Sequence, residues 1–207
     1  MKRTLLIATL MLATMFGFAK KVKLTIDGTV RPSQTTLYLI VNEDTANAQV
    51  IPINDAQFSV NIKVDKDAFI RLDDKKNRPE RSEFVLIPDS RHITVDGRSE
   101  RITGSPLSMS LQAAMSLVRQ SSPEGFHIDV FSQDKEAWEE ACERERSMRA
   151  HMLEVQRQTI VDIIRDNRDN IIPAWLVYCY PSEVEPILPG LTQDAPKWAS
   201  HPVLKKE

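Results

Sequence analysis

Through roughly the first hundred residues hydrophobic side chains recur at every second position, and beyond about residue 105 they recur at every third or fourth. The change falls at the end of Glu83 to Pro106, EFVLIPDSRHITVDGRSERITGSP, the stretch around which the chain is organised. It predicts three short strands, broken by Pro88-Asp89-Ser90 and by Asp96-Gly97, and it closes on Gly104-Ser105-Pro106.

Upstream, Lys21 to Asp27 alternates, with Val22, Leu24 and Ile26 on one side and Lys23 and Thr25 on the other. Asp27-Gly28 is expected to close that strand. Thr35 to Val41 is rich in β-branched and aromatic residues and predicts a second strand ended by Asn42-Glu43-Asp44. Gln49 to Ile53 contains Pro52, which cannot donate to a ladder, so it is expected at a sheet edge. Phe58 to Val64 is the clearest amphipathic strand, and Ala68 to Leu72 is another. The charge run from Asp73 to Arg81 reads as a solvated hairpin connection rather than a binding loop. Seven to nine short strands with regular turn signals predict an antiparallel β-sandwich or open barrel over residues 20–105.

The second half predicts helices. Ser105 is a candidate N-cap with Pro106 at the first helical position. Leu107, Leu111, Ala114, Met115 and Val118 then follow at helical spacing until 121–125, SSPEG. Phe126 to Ser132 alternates and suggests a brief extended piece. A long helix is expected from about Asp134 to Asn167, with Trp138, Ala141, Met148, Met152, Val155, Thr159 and Ile163 as its apolar stripe. Glu145 interrupts that stripe, which predicts a partly exposed helix. Pro173 starts a short apolar helix ended by Pro181. Residues 106–190 thus form a helical region, and 191–207 a proline-punctuated tail with little helical content of its own. The fold class is α+β: the sandwich or open barrel, then a helical segment with one long helix.

Composition adds the compartment. Lys2 and Arg3 precede an uncharged apolar run from Leu5 to Phe16, and Gly17-Phe18-Ala19 offers small residues at a cleavage site. Residues 1–19 therefore read as a secretory signal cleaved after Ala19, in preference to a membrane anchor, and the product is expected in the periplasm or outside the cell. No Cys follows the apolar run, which argues against a lipoprotein. Losing Lys2 and Arg3 takes the formal charge from -2 to -4. A chain without basic excess is a poor nucleic-acid partner, and no other apolar run is long enough to anchor it in a membrane.

Candidate chemistry is sparse. No GxxxxGK, GxGxxG, GxSxG or HExxH motif occurs. His151 and Glu154 are a potential metal-ligand pair on the long helix, but without a second pair an exposed structural role is preferred. Glu139, Glu140 and Glu143 suit the positive end of that helix without further function. Cys142 and Cys179 both fall in the helical half. A bridge between them and two separate thiols, one buried, are both compatible with the spacing, and separate thiols are favoured. They form no CxxC pair. No catalytic, cofactor or metal residue is therefore assigned.

The order of strands and turns is similar to a known arrangement. Asp27-Gly28, Leu37-Tyr38-Leu39, Asp55 to Val60, Phe84 to Pro88, Ile93-Thr94-Val95 and Ile102 to Ser105 follow one another as they do in that arrangement, and Asn167 to Pro173 and Trp198 to Leu204 continue the likeness. The chain resembles the N-terminal domain of unknown function of exported thioredoxin-like thiol–disulfide oxidoreductases from Gram-negative envelopes. The catalytic WCxxC pair of those proteins has no counterpart here. The resemblance thus implies a non-enzymatic exported module that binds a thioredoxin-like envelope protein or a small ligand, and it leaves the oligomeric state open. The alternative expectation is an accessory or remnant of a thiol–disulfide system using Cys142 or Cys179.

Overall fold

β1 (Lys21–Thr29) lies between two partners of opposite sense. It runs antiparallel to β4 (Gln57–Asp65) in a ladder from Lys21↔Asp65 to Thr29↔Gln57, and parallel to β7 (His92–Asp96) from Thr25↔His92 to Thr29↔Asp96. β8 (Arg101–Thr103) completes a four-stranded sheet in the order β4-β1-β7-β8. A second four-stranded sheet has the order β3-β2-β5-β6, from β2 (Leu37–Val41), β3 (Gln49–Ile51), β5 (Ile70–Asp73) and β6 (Phe84–Leu86), all antiparallel. These assignments come from a computed structural model that describes residues 21–76, 82, 84–124, 126, 134–194 and 196–205. The expected signal segment and most of the extended piece at Phe126 to Ser132 lie outside the described residues.

The sheets face each other across one core: Leu24 and Ile26 of β1, Leu37 and Leu39 of β2, Phe58, Ile70, Leu72, Leu86, Ile93 and Val95 are all buried in it. The fold is therefore the expected α+β sandwich with open sheets, and one of its ladders is parallel. β3 lies at a sheet edge and stops at Ile51, before Pro52, as the missing proline N–H requires. Strand β1 runs through Asp27-Gly28 instead of stopping there. A Cβ on Gly28 would lie 2.3 Å from the Val95 carbonyl oxygen and 2.8 Å from the Phe58 ring, so only glycine lets β7 and Phe58 close on the strand. The Pro88-Asp89-Ser90 turn also differs from expectation: it carries the chain from the second sheet into the first, so β6 and β7 are not a hairpin. At Asp96-Gly97 the Asp96 carboxylate accepts hydrogen bonds from Ser99 Oγ, the Arg98 amide and Thr29 Oγ1. Those donors, Ser99 first, lower its pKa to about 2.

A third layer packs on the second sheet. α1 (Pro106–Gln120) has Ser105 as N-cap, whose Oγ accepts the Ser108 amide at 3.1 Å. Asp89 accepts the Leu107 amide at 2.8 Å, and Ser108 Oγ accepts the Ile87 amide at 2.8 Å, so the helix start is fastened to the β6–β7 connection. α2 (Lys135–Asp166), α3 (Ile172–Cys179), α4 (Pro181–Val184) and α5 (Leu188–Thr192) follow. Leu111, Met115 and Val118 of α1, Ile160 and Ile164 of α2, and Trp175 and Leu176 of α3 form a second core with Phe69, Val85 and Ile87 of the sandwich. The alternation in β6 explains the two cores: Phe84 and Leu86 face the sandwich interior, and Val85 faces the helices.

The apolar stripe of α2 is displaced from its expected line. Trp138, Met148 and Val155 are exposed, whereas Gln156, Ile160, Val161 and Ile164 are buried. Of the first twenty-one residues of α2 only Ala141 is buried, because α1 and α3 meet just its C-terminal third. Glu139, Glu140 and Glu143 pair with Lys135, Arg144 and Arg146 along this exposed stretch. The chain from Pro181 onward, the tail included, is also more ordered than its prolines suggested. Pro181 and Pro189 sit in the first turns of α4 and α5, where a missing N–H costs nothing. Two 3-10 turns, Lys197–Ser200 and Pro202–Lys205, bury Trp198 and Val203.

Candidate functional site

One face of α2 and the segment beyond α4 leave a groove of about 740 Å3 between them. The α2 wall is Glu154, Arg157, Gln158, Val161, Ile164, Arg165 and, just past the helix, Arg168. Offsets of three and four put them on one helical face, and the twelve steps from Glu154 to the helix end at Asp166 make the helical wall about 18 Å long. The opposite wall is Pro186, Ile187, Pro189, Gly190, Leu191 and Asp194, with Trp198 also lining the groove. Val161, Ile164, Ile187, Leu191 and Trp198 supply its apolar atoms, and Arg157, Arg165 and Arg168 lie along it, each beside an acid: Glu154, Asp162 and Asp194.

The rim is held loosely and the apolar side firmly. Arg157 Nη1 donates to Glu154 at 2.9 Å, Arg165 lies 3.8 Å from Asp162, and Arg168 pairs with Asp194. The side chains of Arg165 and Arg168 are more than half exposed, so each pair contributes little and exchanges readily with another anion. Trp198, Ile164 and Val161 are nearly or fully buried. Arg157 Nε and Trp198 Nε1 are shielded from water and have no hydrogen-bond partner among the described residues. Native structures leave few such donors unmet.

The wall bearing Trp198 is fixed by a histidine. His201 Nε2 donates to the Asp67 carbonyl at 2.6 Å, and its Nδ1 accepts the Val203 amide at 3.1 Å. Its ring lies 4.8 Å from that of Phe69, which lies 5.0 Å from Trp175. Burial lowers the His201 pKa below the ordinary 6.5, and the Asp67 carbonyl and carboxylate offset this only in part. A protonated ring would lose the Val203 bond, because Nδ1 could no longer accept. With a depressed folded-state pKa, the stability that neutral His201 contributes is whole above pH 6.5 and is lost as pH falls towards the folded-state value. Melting temperature followed between pH 7.5 and 5 should therefore fall more in the wild type than in His201→Phe. Parallel curves would remove His201 as the cause.

The residues singled out from sequence do not converge. His151 is exposed on α2, and Glu154 pairs with Arg157. No cluster of three or more metal-ligating side chains occurs among the described residues. Cys142 and Cys179 are unbridged and both half-buried, so neither is the fully buried thiol expected. No helix among the described residues is long and apolar enough to cross a membrane.

Sequence reasoning missed the groove. None of Arg157, Arg165, Arg168 and Gly190 was singled out as a site residue. The usable signal was a 154-157-158-161-164-165-168 pattern mixing arginine with branched apolar residues. No family model, curated protein or solved structure matches this chain.

Proposed function

We propose that this chain is an exported, non-enzymatic binding module of a Gram-negative envelope, and that the α2–α5 groove is where it takes its partner. The groove carries the proposal: it is concave, lined by both apolar and charged side chains, and built along one face of a long helix. The signal-like N-terminus supports the compartment, and the strand order supports kinship with the N-terminal domain of thioredoxin-like oxidoreductases. A thioredoxin-like envelope protein is the partner that kinship favours. Chemistry at the groove has little support, since its side chains include no nucleophile beside a base.

Gly190 supplies the test. A Cβ built there meets nothing within 4 Å, so Gly190→Trp should fold normally and fill the groove. Affinity capture from periplasmic extract is expected to recover a specific protein with the wild type and to lose it with Gly190→Trp. Recovery that is equal for both, or absent alongside a monomer in light scattering, would count decisively against the groove as a binding site.

A further inference from the structure

We infer that the outer edge of β4 is a second docking site, and that its occupant is a short extended segment of a partner protein, added alongside β4 as a further strand of the sheet. This goes beyond the groove and does not depend on it. Thr25 N–H donates to the Arg91 carbonyl on the β7 side of β1, and Val30 N–H donates to the Ala56 carbonyl on the β4 side, each at 2.9 Å. Bonding direction alternates along a strand. The even-numbered residues of β1 therefore bond their even-numbered partners in β4, such as Leu24 with Ile62 and Ile26 with Val60. Ser59, Asn61 and Lys63 aim their N–H and C=O groups the other way, off the sheet. None of those groups has a hydrogen-bond partner among the described residues, and all three residues are exposed.

Native proteins shield such edges, and the other edges here are short or covered. β3, β6 and β8 have three residues each. On β8 the Gln112 side chain takes the place of a neighbouring strand: its Oε1 accepts the Ile102 amide at 3.4 Å and its Nε2 donates to the Glu100 carbonyl at 2.6 Å. β4 has nine residues, no proline and no bulge in its ladder with β1. Donors and acceptors that recur at every second residue, about 6.6 Å apart, are matched by another extended backbone and by no small ion.

Geometry selects a free segment over a second copy of this chain. Pairing β4 antiparallel with itself about Asn61 sets Asp65 of the second copy opposite Gln57. Asn54 already holds that slot, exchanging both backbone hydrogen bonds with Gln57 at 2.9 Å. Sliding the register towards Lys63 meets the turn in which the Asp65 carbonyl accepts the Ala68 amide at 3.0 Å. The open run is thus Ser59 to Lys63, room for about five extended residues. Residues of the added strand opposite Ser59, Asn61 and Lys63 face water. Those between them lie beside Val60 and Ile62, which are half-buried and pack on the sandwich core. The segment is therefore polar and apolar in alternation. Lys63 lies opposite Lys23 in the ladder, so an acidic residue next to Lys63 is favoured.

The probe is a dye-labelled peptide of about seven residues in which valine alternates with threonine and one glutamate, read by fluorescence anisotropy and by amide hydrogen exchange of the intact chain. We expect exchange at the Ser59, Asn61 and Lys63 amides to slow at least about tenfold when the peptide is bound. Methylating the threonine and glutamate backbone nitrogens, which face the edge, should abolish binding. Methylating the valine nitrogens, which face away, should leave it. Asn61→Pro should fold, because that N–H makes no ladder bond and proline is tolerated at an outward edge position, and it should lose the peptide. Lys63→Pro is a second such variant, and the methylated peptides keep the measurement open if both fail to fold. Gly190→Trp should bind the peptide as the wild type does.

Unchanged exchange at the three amides, equal binding of the two methylated peptides, or binding retained by a folded Asn61→Pro overturns the inference. Slow exchange at those amides in the free chain, together with a dimer in light scattering, overturns it in favour of a second copy. Loss of the peptide in Gly190→Trp overturns it in favour of the groove, so failure here and failure of the groove are told apart.

Discussion

Replacing Arg71 by methionine is expected to destabilise the fold by about 3–5 kcal/mol, the usual result of leaving one half of a buried ion pair without the other. Arg71 is fully buried on β5, on the face opposite Ile70 and Leu72, in register with Ile40 and Val85. Nε and Nη2 donate to the two Glu43 oxygens at 2.7 and 2.9 Å. Nη1 donates to Asp73 and to the Lys75 carbonyl, both at 3.0 Å, and Nη2 also donates to the Lys76 carbonyl at 2.5 Å. All five N–H donors of the guanidinium are thus used. Burial alone would lower its pKa, but Glu43 and Asp73 more than offset this and raise it above its ordinary value.

The same arginine holds an unfavourable turn. Asn42 and Glu43 have φ of 49° and 57°, a left-handed conformation that asparagine tolerates better than glutamate. Asn42 is fixed from the other side, its amide donating to the Phe69 carbonyl at 2.8 Å and its Oδ1 accepting the Phe69 amide at 2.9 Å. Removing Arg71 would leave Glu43 buried and unpaired in this turn. The Arg71→Met/Glu43→Gln double variant should recover only part of the loss, because the Lys75 and Lys76 carbonyls would still lack a donor. Urea unfolding measures both, with the midpoint moving and the slope preserved. A loss below about 1 kcal/mol for the single variant would show that the pair is a surface-grade contact.

Trp175→Ala is expected to cost a similar amount, about 3–5 kcal/mol from lost burial and the cavity left behind. Trp175 is fully buried in the helical core, with ring centroids 5.0 Å from Phe69 and 5.7 Å from Tyr178. Phe69 precedes β5, and His201 stacks on its ring, so the row from Trp175 to His201 joins α3, the sandwich and the C-terminal turns. A cavity there loosens all three at once. At about 2–4 °C per kcal/mol for a chain of this size, melting temperature should fall by roughly 10 °C. Trp175→Phe, which keeps an aromatic ring, should retain more than half of the difference. Far-ultraviolet circular dichroism and tryptophan fluorescence should report one shared transition in the wild type. If the helical signal melts separately while the sandwich remains folded, the row does not couple the layers.

Several elements were readable from residues alone. The strand at Phe58 to Val64, the edge strand before Pro52, the Ser105-Pro106 helix start and the Asn167–Asn170 break all stand close to where side-chain period, prolines and capping residues put them. Each depends on neighbours a few positions away. The misreadings concerned what covers a face. Trp138, Met148 and Val155 satisfied the helical period yet face water, because α1 and α3 meet only the last third of α2. Arg71, an ordinary outward position on a strand, became the most deeply buried charge among the described residues because Glu43 and the turn carbonyls close over it.

What the sequence by itself determined is the succession of strands followed by helices, since period and backbone preference are local properties. The tertiary structure decided the rest: which sheet receives β6 and β7, how α2 is rotated, and that residues 154–168 and 186–198 enclose a groove. Those outcomes hang on contacts between residues far apart, 28 positions for Arg71 with Glu43 and 134 for His201 with Asp67. Period along a chain records which side chains share a face, and only the folded arrangement of several elements supplies the surface that meets it.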